Sequence, residues 1–136
     1  MLVERAMTAQ PIVAFPSTTI RDVLRLLLEA DVRHLPIVEG KVLVGIVSSH
    51  DLRALLPDGL ADFNHPHDVQ RMLEQPVSKI MNAEPISVAE KVELKHAVDL
   101  MVEHRVGALP VVEPTSKKLV GILSYVDALR VVRAFL

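Results

Sequence analysis

The 136-residue chain contains no cysteine and only four aromatic residues, one tyrosine and three phenylalanines. Without cysteine it can form no disulfide, no reactive thiolate and no cysteine-based zinc site. Four aromatic side chains are too few for the stacking platforms on which proteins hold single-stranded nucleic acid. The net charge of -2 gives no basic surface for a phosphate backbone either. We therefore expect no nucleic-acid partner.

The sequence also lacks an apolar run near the roughly 20 residues that a membrane-spanning helix needs. Acidic Glu4 interrupts the short apolar start that a secretion signal would require. We therefore expect a cytoplasmic protein that does not enter a membrane. Half of the residues are nevertheless hydrophobic. This surplus predicts an additional buried surface, most simply a homodimer contact through apolar helix stripes such as the final run 129–136.

The chain contains an internal repeat. Residues 7–39 align without a gap with residues 81–113 at an offset of 74, and 11 of the 33 pairs are identical. After a short interruption, residues 43–51 align with 119–127 at an offset of 76, and six of nine pairs are identical. Units of about 60 residues are marginally stable alone, so the two copies are expected to share burial.

Each repeat predicts the order strand, helix, strand, strand, helix, which is a mixed α/β (α+β) fold. Apolar residues at helical spacing mark the first helix of each copy, and Ser17 or Thr18 is expected to cap the first of them. The predicted boundaries are 1–56 for the first unit, 57–76 for a polar linker with a helical turn, and 77–136 for the second unit. The predicted strands are short apolar runs: Ile12–Ala14, Leu35–Glu39, Leu43–Ser48, Ile86–Val88, Leu109–Glu113 and Leu119–Ser124.

The linker contains His65, His67 and Asp68, which are residue types that bind metals. Nothing in the pattern fixes them on a common scaffold, so we interpret them as a solvated loop and predict no metal site.

The polar residues that recur in both copies are Ser48 with Asp51, and Ser124 with Asp127. Each pair follows Gly-Ile-Val or Gly-Ile-Leu at the end of an apolar strand. A serine and a carboxylate at this edge could bind an anion and a vicinal diol such as a ribose. The same Ser-x-x-Asp pattern is also a helix capping box, which needs no ligand. Both interpretations stay open, and they are compatible with each other.

These motifs in this order resemble the cystathionine β-synthase (CBS) domain. The resemblance rests on the motifs Met-Thr-x-x-Pro, an amphipathic helix, Leu-Pro-Ile-Val and Gly-Ile-Val-Ser-x-x-Asp. The tandem repeat resembles a CBS pair, or Bateman module. The resemblance implies two β-α-β-β-α units packed sheet to sheet about a pseudo-twofold axis. It also implies two clefts for an adenosine derivative such as AMP, ADP, ATP or S-adenosylmethionine, as a regulatory ligand rather than a required cofactor.

By this resemblance, Asp51 and Asp127 would hold ribose hydroxyls, and Ser48 and Ser124 would lie near the first phosphate. Isoleucines would line the slots for the base: Ile12, Ile46, Ile86 and Ile122.

The residues just before Leu-Pro fall where the family often places groups that meet phosphates. They are Arg33 and His34 in the first copy, but Gly107 and Ala108 in the second. Guanidinium and imidazole suit phosphate oxygens, whereas glycine and alanine offer only backbone. We therefore expect the Asp51 site to bind a phosphorylated nucleotide and the Asp127 site to bind it weakly or not at all.

The sequence shows no converging nucleophile, acid and base, so we do not expect an enzyme. The leading hypothesis is a regulatory module that senses an adenosine-containing ligand and acts on an unidentified effector protein. The alternative is a structural dimerisation module with vestigial clefts. The two differ in whether ligands stabilise the protein.

Overall fold

The structure is a computed structural model that describes residues 1–55 and 66–136. In chain order its elements are α1 (Val3–Ala6), β1 (Thr8–Ala9), α2 (Ile20–Ala30), β2 (His34–Glu39), β3 (Val42–Ser48), α3 (Ser49–Leu55), α4 (Pro66–Leu73), a 3₁₀ helix (Val77–Lys79), β4 (Val88–Ala89), α5 (Leu94–His104), β5 (Ala108–Val112), β6 (Leu119–Ser124) and α6 (Tyr125–Arg133). This is the mixed α/β arrangement of two repeated units that the sequence predicts.

The chain forms two compact units, and each unit contains segments from both sequence repeats. The Asp127 unit consists of Met1–Pro11, Gly40–Leu43 and Glu84–Leu136, and the Asp51 unit consists of Ile12–Glu39 and Val44–Ala83. The boundaries 1–56, 57–76 and 77–136 describe the repeats along the chain and stay a prediction in that sense. In space, the opening residues belong with the second repeat rather than the first.

The Asp127 unit contains a four-stranded sheet in the order β1-β6-β5-β4. Strand β1 runs antiparallel to β6, with Thr8 opposite Ile122. Strands β5 and β6 form an antiparallel hairpin, and β4 runs parallel to β5 with Val88 opposite Val111.

The Asp51 unit repeats this order around its hairpin of β2 and β3. Single bridges stand where the other unit has short strands: Ala14 pairs parallel with Ile37, and Ile46 pairs antiparallel with Asn82. These pairs match the strand pairs of the Asp127 unit at the repeat offsets.

Each unit is thus completed by the opening segment of the other repeat. Val3 is fully buried in the core around α5, β5 and β6, and Val77 is fully buried in the core around α2, β2 and β3. Backbone bonds fix both segments, from Val3 N to Val92 O at 2.8 Å and from Val77 N to Thr18 O at 2.8 Å. Val3 and Val77 correspond at the repeat offset of 74. Their exchange between the units depends on long-range packing that local patterns do not encode.

The amphipathic helices form as predicted, with one correction. In α2 the cap is Thr19, whose Oγ1 accepts from the amide of Asp22 at 3.1 Å, and not Ser17 or Thr18. Two apolar residues of these helices are exposed, Leu28 of α2 at 80% and Val102 of α5 at 71%.

The predicted helical turn of the linker is α4, whose Met72 and Leu73 pack against the core of the Asp51 unit. His65 lies outside the described residues. Asp68 forms an ion pair with Arg71 at 2.9 Å. Among residues 1–55 and 66–136, no helix has the length and apolar character that crossing a bilayer requires.

Candidate functional site

Ser48 and Asp51 meet where β3 passes into α3 in the Asp51 unit. The amide of Ser48 donates to Oδ2 of Asp51 at 2.9 Å, and the amide of Asp51 donates to Oγ of Ser48 at 3.0 Å. This is the reciprocal geometry of a capping box. Only Oδ2 of the carboxylate is used, and in the part of the chain that the structure describes Oδ1 of Asp51 accepts no hydrogen bond. Asp51 is exposed to solvent.

Arg33 and His34 lie beside this carboxylate. The amide of Ser49 donates to the carbonyl of Arg33 at 2.9 Å, which ties the start of β2 to the start of α3. Burial lowers the pKa of His34 below its ordinary value near 6.5, the Asp51 carboxylate opposes that shift, and the Arg33 guanidinium adds to it. Two basic groups and one carboxylate are therefore close enough to influence each other electrostatically.

Two of the four predicted base-contacting isoleucines, Ile12 and Ile46, belong to the same unit. Ile12 is 47% exposed, although it lies in an apolar segment, and Ile46 is half-buried and pairs through its backbone with Asn82. The predicted ribose and phosphate residues of the first site fall in this unit with them; they are Ser48, Asp51, Arg33 and His34.

Asp127 occupies the corresponding position in its own unit but differs in burial, being only 6% exposed. Its Oδ2 accepts from the amide of Ser124 at 2.9 Å and from Oγ of Ser124 at 3.1 Å, and its own amide donates to that Oγ at 3.2 Å. Its Oδ1 accepts from Thr8 Oγ1 at 3.3 Å and from Arg130 at 3.4 Å. Both carboxylate oxygens are therefore already bonded.

The start of β5 keeps the backbone hydrogen bond found at the start of β2, but it lacks the basic side chains. The amide of Tyr125 donates to the carbonyl of Gly107 at 2.9 Å, as Ser49 does to Arg33. Ala108 is buried, and neither residue adds a charge. Of the predicted base-contacting residues here, Ile86 packs against the core and Ile122 is buried in β6.

Sequence reasoning missed Thr8, Arg130 and Arg5 near Asp127. Arg130 follows Asp127 by three residues on α6, a spacing that brings helix side chains together, so this pair was visible in the sequence. Thr8 reaches Asp127 across 119 positions of the chain, which no local pattern could indicate. Arg5 joins them through α1, because all three line a cleft of about 440 Å³.

The glycine of each Gly-Ile motif has a structural role. A Cβ atom on Gly45 would lie 2.6 Å from Sδ of Met81, and one on Gly121 would lie 2.6 Å from Sδ of Met7. Glycine therefore allows the exchanged opening segment to cross each strand closely. Among the described residues, no group of three or more histidine, aspartate or glutamate side chains could hold a metal ion.

Comparison with known proteins gives consistent results. A sequence model of the CBS domain matches residues 3–58 and 77–134. Protein MJ1225 of Methanocaldococcus jannaschii is 33% identical over 95% of this chain, which covers 46% of that protein. The CBS domain-containing protein CBSX2 of Arabidopsis thaliana is 31% identical over 85% of this chain and 56% of its own length. The chain thus spans about half the length of these curated relatives.

Solved structures agree with these sequence matches over nearly the whole chain. CBSX2 in complex with AMP superposes with a TM-score of 0.82 at 33% identity, covering 98% of this chain and 97% of that chain. The CBS domain pair of protein MJ0100 in complex with 5′-methylthioadenosine and S-adenosylmethionine gives a TM-score of 0.82 at 26% identity, with 100% and 98% covered. The resemblance found in the sequence is confirmed, and the chain belongs to the CBS domain family, of which it carries two copies in tandem.

Proposed function

We propose that the protein is a regulatory module that binds an adenosine-containing ligand and communicates binding to a separate effector protein. A ligand can do this only if it binds one conformation of the protein more tightly than another. The chain is proposed to act as a binding module rather than an enzyme. Its cytoplasmic location and its lack of nucleic-acid and membrane partners stay predictions from the sequence.

The family supports the choice of ligand class. CBSX2 was solved with AMP, and the MJ0100 pair was solved with two adenosyl compounds that carry no phosphate. Adenosine is common to all three ligands, whereas the group at the 5′ position differs. The residues near that position should therefore decide which member of the class this protein binds.

The observation that carries the proposal is that only one oxygen of the Asp51 carboxylate accepts a hydrogen bond from the described residues. Asp51 is exposed, and its Oδ2 maintains the helix cap, while Oδ1 accepts no bond from the described residues. A carboxylate oxygen in this state can accept from a ribose hydroxyl without disrupting the fold. The capping interaction and the ribose contact are then two roles of one side chain.

Arg33 and His34 favour a phosphorylated ligand at this site. Both residues lie beside Asp51 and can donate to phosphate oxygens, with Ser48 adjacent to them. S-adenosylmethionine carries positive charge at its sulfonium and ammonium groups, which the Arg33 guanidinium would repel. We therefore expect AMP, ADP or ATP to bind the Asp51 site more tightly than S-adenosylmethionine.

A thermal-shift series tests the proposal. Wild type, Asp51→Ala and Asp127→Asn are each melted without ligand and with AMP, ADP, ATP, S-adenosylmethionine or GTP. A ligand at 100 times its Kd stabilises by about 2.7 kcal/mol, which is several degrees for a domain of this size. We expect a shift with an adenine nucleotide that Asp51→Ala reduces. Asp99→Ala on α5, which removes an exposed ion pair, is the matched control and should respond like wild type.

A structural dimerisation module is the competing function, and one observation favours it for the Asp127 unit. Because Asp127 is fully bonded within the protein, its presence can be explained without a ligand. If no compound in the series shifts the melting temperature of a folded dimer, the sensor is wrong and this alternative holds.

The proposed homodimer uses the exposed apolar positions of the helices. On α6 and just after it these positions recur with helical spacing, and α5 and α2 each add one; they are Leu129, Val132, Phe135, Leu136, Val102 and Leu28. Sedimentation velocity should show a dimer that Leu129→Asp weakens. Lys95→Asp, on the exposed polar face of α5, should leave the dimer intact, and a monomeric wild type would contradict the proposal.

A further inference from the structure

The opening segment of the chain, residues 1–9, is held by the second repeat rather than by its own. Val3 is fully buried in the core of the Asp127 unit, and its amide donates to the carbonyl of Val92 at 2.8 Å. Lys91 adds an ion pair with Glu4 at 2.9 Å. The second repeat thus supplies a binding surface into which this segment fits.

One strained residue joins the opening segment to the rest of the chain. Gln10 follows β1 and has a φ of 48°, which lies in the left-handed region. This conformation is unfavourable for any residue with a side chain, because the Cβ atom lies too close to the following carbonyl oxygen. Pro11 increases the strain, since a proline favours an extended conformation in the residue before it. The two compact units divide directly after Pro11, so the strain lies at their boundary.

The other positive φ angles have ordinary structural reasons. Among the described residues other than glycine, they occur at Asp31, Arg105 and Lys117. Asp31 and Arg105 end α2 and α5, where a left-handed residue is usual, and Lys117 lies in the connection from β5 to β6. Glu84, at the position of the second repeat that matches Gln10, does not have a positive φ. Neither a helix end nor a hairpin therefore accounts for the conformation of Gln10.

We propose that the opening segment exchanges between two copies of this chain, so that each segment completes the Asp127 unit of the other copy. An extended Gln10 relieves the strain before Pro11 and turns the segment out of its own unit. An identical copy offers the same buried position for Val3, so the contacts of the unit are kept. Two reciprocal exchanges close a symmetric dimer, and short hinges under strain favour this outcome.

The exchange goes beyond the proposed function and does not depend on a ligand. It changes which chain supplies Thr8, whose Oγ1 donates to Oδ1 of Asp127 at 3.3 Å. In the exchanged dimer this bond joins two copies. The exchange is also distinct from the proposed contact of helix faces, since it buries Val3 and does not use Leu129. The two kinds of dimer can therefore be removed separately.

Disulfide crosslinking tests the exchange directly, because the chain has no cysteine of its own. Leu2 and Glu93 are opposite each other in an antiparallel bridge, with backbone bonds from Val3 N to Val92 O and from Leu94 N to Met1 O on either side. Opposed residues of this kind have Cα atoms about 4.5 Å apart, which suits a disulfide.

A chain with Leu2→Cys is refolded together with a longer, tagged chain that carries Glu93→Cys, and the mixture is oxidised. We expect a covalent dimer of one untagged and one tagged chain, since the opening segment of one copy then lies on the second repeat of the other. Glu103→Cys, near the far end of α5, replaces Glu93→Cys as the control and should give little of this product.

The residue at the hinge should set the yield. Gln10→Gly in both chains should lower the amount of mixed dimer at least about fivefold, because glycine adopts a positive φ without strain. Gln10→Val should raise it, since a β-branched residue disfavours that conformation further. Gln10 is exposed, so neither change alters the core. Glu84→Gly is the matched control and should leave the yield unchanged.

Three results would overturn the exchange. They are a mixed yield no higher than that of the Glu103→Cys control, a yield that Gln10→Gly does not lower, and a yield that Leu129→Asp in both chains abolishes. In the last case the crosslink would follow from the contact of helix faces.

Sedimentation velocity gives a second measurement without any cysteine. After refolding at high concentration, the Leu129→Asp chain should keep a dimer fraction that Gln10→Gly lowers and Gln10→Val raises. A monomer with all three residues at the hinge would also overturn the exchange. The proposed function would then still stand or fall by its own thermal-shift series.

Discussion

The two Ser-x-x-Asp motifs are identical at their defining positions and differ in their surroundings. Asp51 is exposed and bonded only to Ser48 among the described residues, whereas Asp127 is buried and bonded to Ser124, Thr8 and Arg130. The Asp51 carboxylate caps its helix through Oδ2 alone. The Asp127 carboxylate caps α6 and also bonds to Thr8 in the opening segment of the chain.

The difference arises from residues outside the motif. At the repeat offsets, Asn82 stands where Thr8 is, and Ala54 stands where Arg130 is. Conversely, the first repeat has basic residues that the second lacks, since Arg33 and His34 correspond to Gly107 and Ala108. The Asp51 unit thus has its basic groups at the start of β2, whereas the Asp127 unit has Arg5 on α1 and Arg130 on α6. A motif defines the position of the carboxylate, and its neighbours decide whether that carboxylate is structural or available.

The largest expected difference concerns the two aspartates themselves. Asp127→Ala should lower the free energy of unfolding by about 3 kcal/mol, because it removes a cap worth about 1 kcal/mol and leaves part-buried donors without an acceptor. Asp51→Ala should cost only about 1 kcal/mol, since the cap alone is lost. Urea unfolding followed by circular dichroism measures both.

Asp127→Asn is the control for shape, because it keeps the volume and one carbonyl oxygen. It should fall between wild type and Asp127→Ala. Equal losses from Asp51→Ala and Asp127→Ala would show that the additional bonds of Asp127 contribute nothing and would remove the contrast between the units.

A second test addresses the glycine at which, in both units, an opening segment crosses a strand closely. Gly121→Ala places a Cβ 2.6 Å from Met7 Sδ and 3.0 Å from Thr8 O. Gly45→Ala places a Cβ 2.6 Å from Met81 Sδ and 3.1 Å from Asn82 O. Overpacking of this kind typically costs about 2 kcal/mol. We expect both changes to lower the urea midpoint by similar amounts.

The methionine sulfurs are at the ends of flexible side chains, but the carbonyl oxygens are backbone atoms that cannot turn aside. Combining Gly121→Ala with Met7→Ala should therefore recover only part of the loss. A neutral Gly121→Ala would show that the opening segment can move away from β6, contrary to the close crossing in the structure.

The sequence predicted most of the local structure because its signals are local. The stripe in α2, the hairpins and the Ser-x-x-Asp boxes all follow from spacing within about ten residues, and each is present. The helix α1 and the strand β1 were not predicted, since four and two residues give no periodicity. Their conformation is imposed by pairing with residues about 90 to 120 positions away.

The candidate site shows the same limit. The sequence identified both aspartates, and repeat comparison identified the contrast between Arg33-His34 and Gly107-Ala108. It could not show that Asp127 is buried, because its burial depends on the opening segment reaching the second repeat. That these residues bind a ligand stays a prediction, which the thermal-shift series tests.

A smaller effect is expected from the contact between Thr8 and Asp127. Thr8→Val keeps the shape of the side chain and removes the hydroxyl, so only the 3.3 Å bond to Oδ1 is lost. The stability loss should be about 0.5–1 kcal/mol, typical of one hydrogen bond. Asn82→Ala, at the matching position of the other repeat, provides the comparison in the Asp51 unit. A loss as large as that of Asp127→Ala would mean that Thr8 accounts for most of the role of Asp127.

The smallest effect is a pH dependence confined to the Asp51 unit. The pKa of His34 is lowered, chiefly by burial, so between its folded pKa and the unfolded value near 6.5 the unfolded chain binds more protons. The stability that neutral His34 contributes is therefore complete above about pH 6.5 and is lost as the pH falls through the folded pKa. His34→Ala introduces the residue that stands at Ala108, and it should lose less stability than wild type between pH 7.5 and 5.5.

Parallel pH slopes for wild type and His34→Ala would rule out this linkage, since the other histidines are common to both proteins. A bound phosphate should raise the pKa of His34 again, because it favours the imidazolium form. AMP affinity at the Asp51 site should then rise as the pH falls from 8 to 6 in wild type. It should rise less in His34→Ala, and titration in the Asp127→Asn background measures the difference.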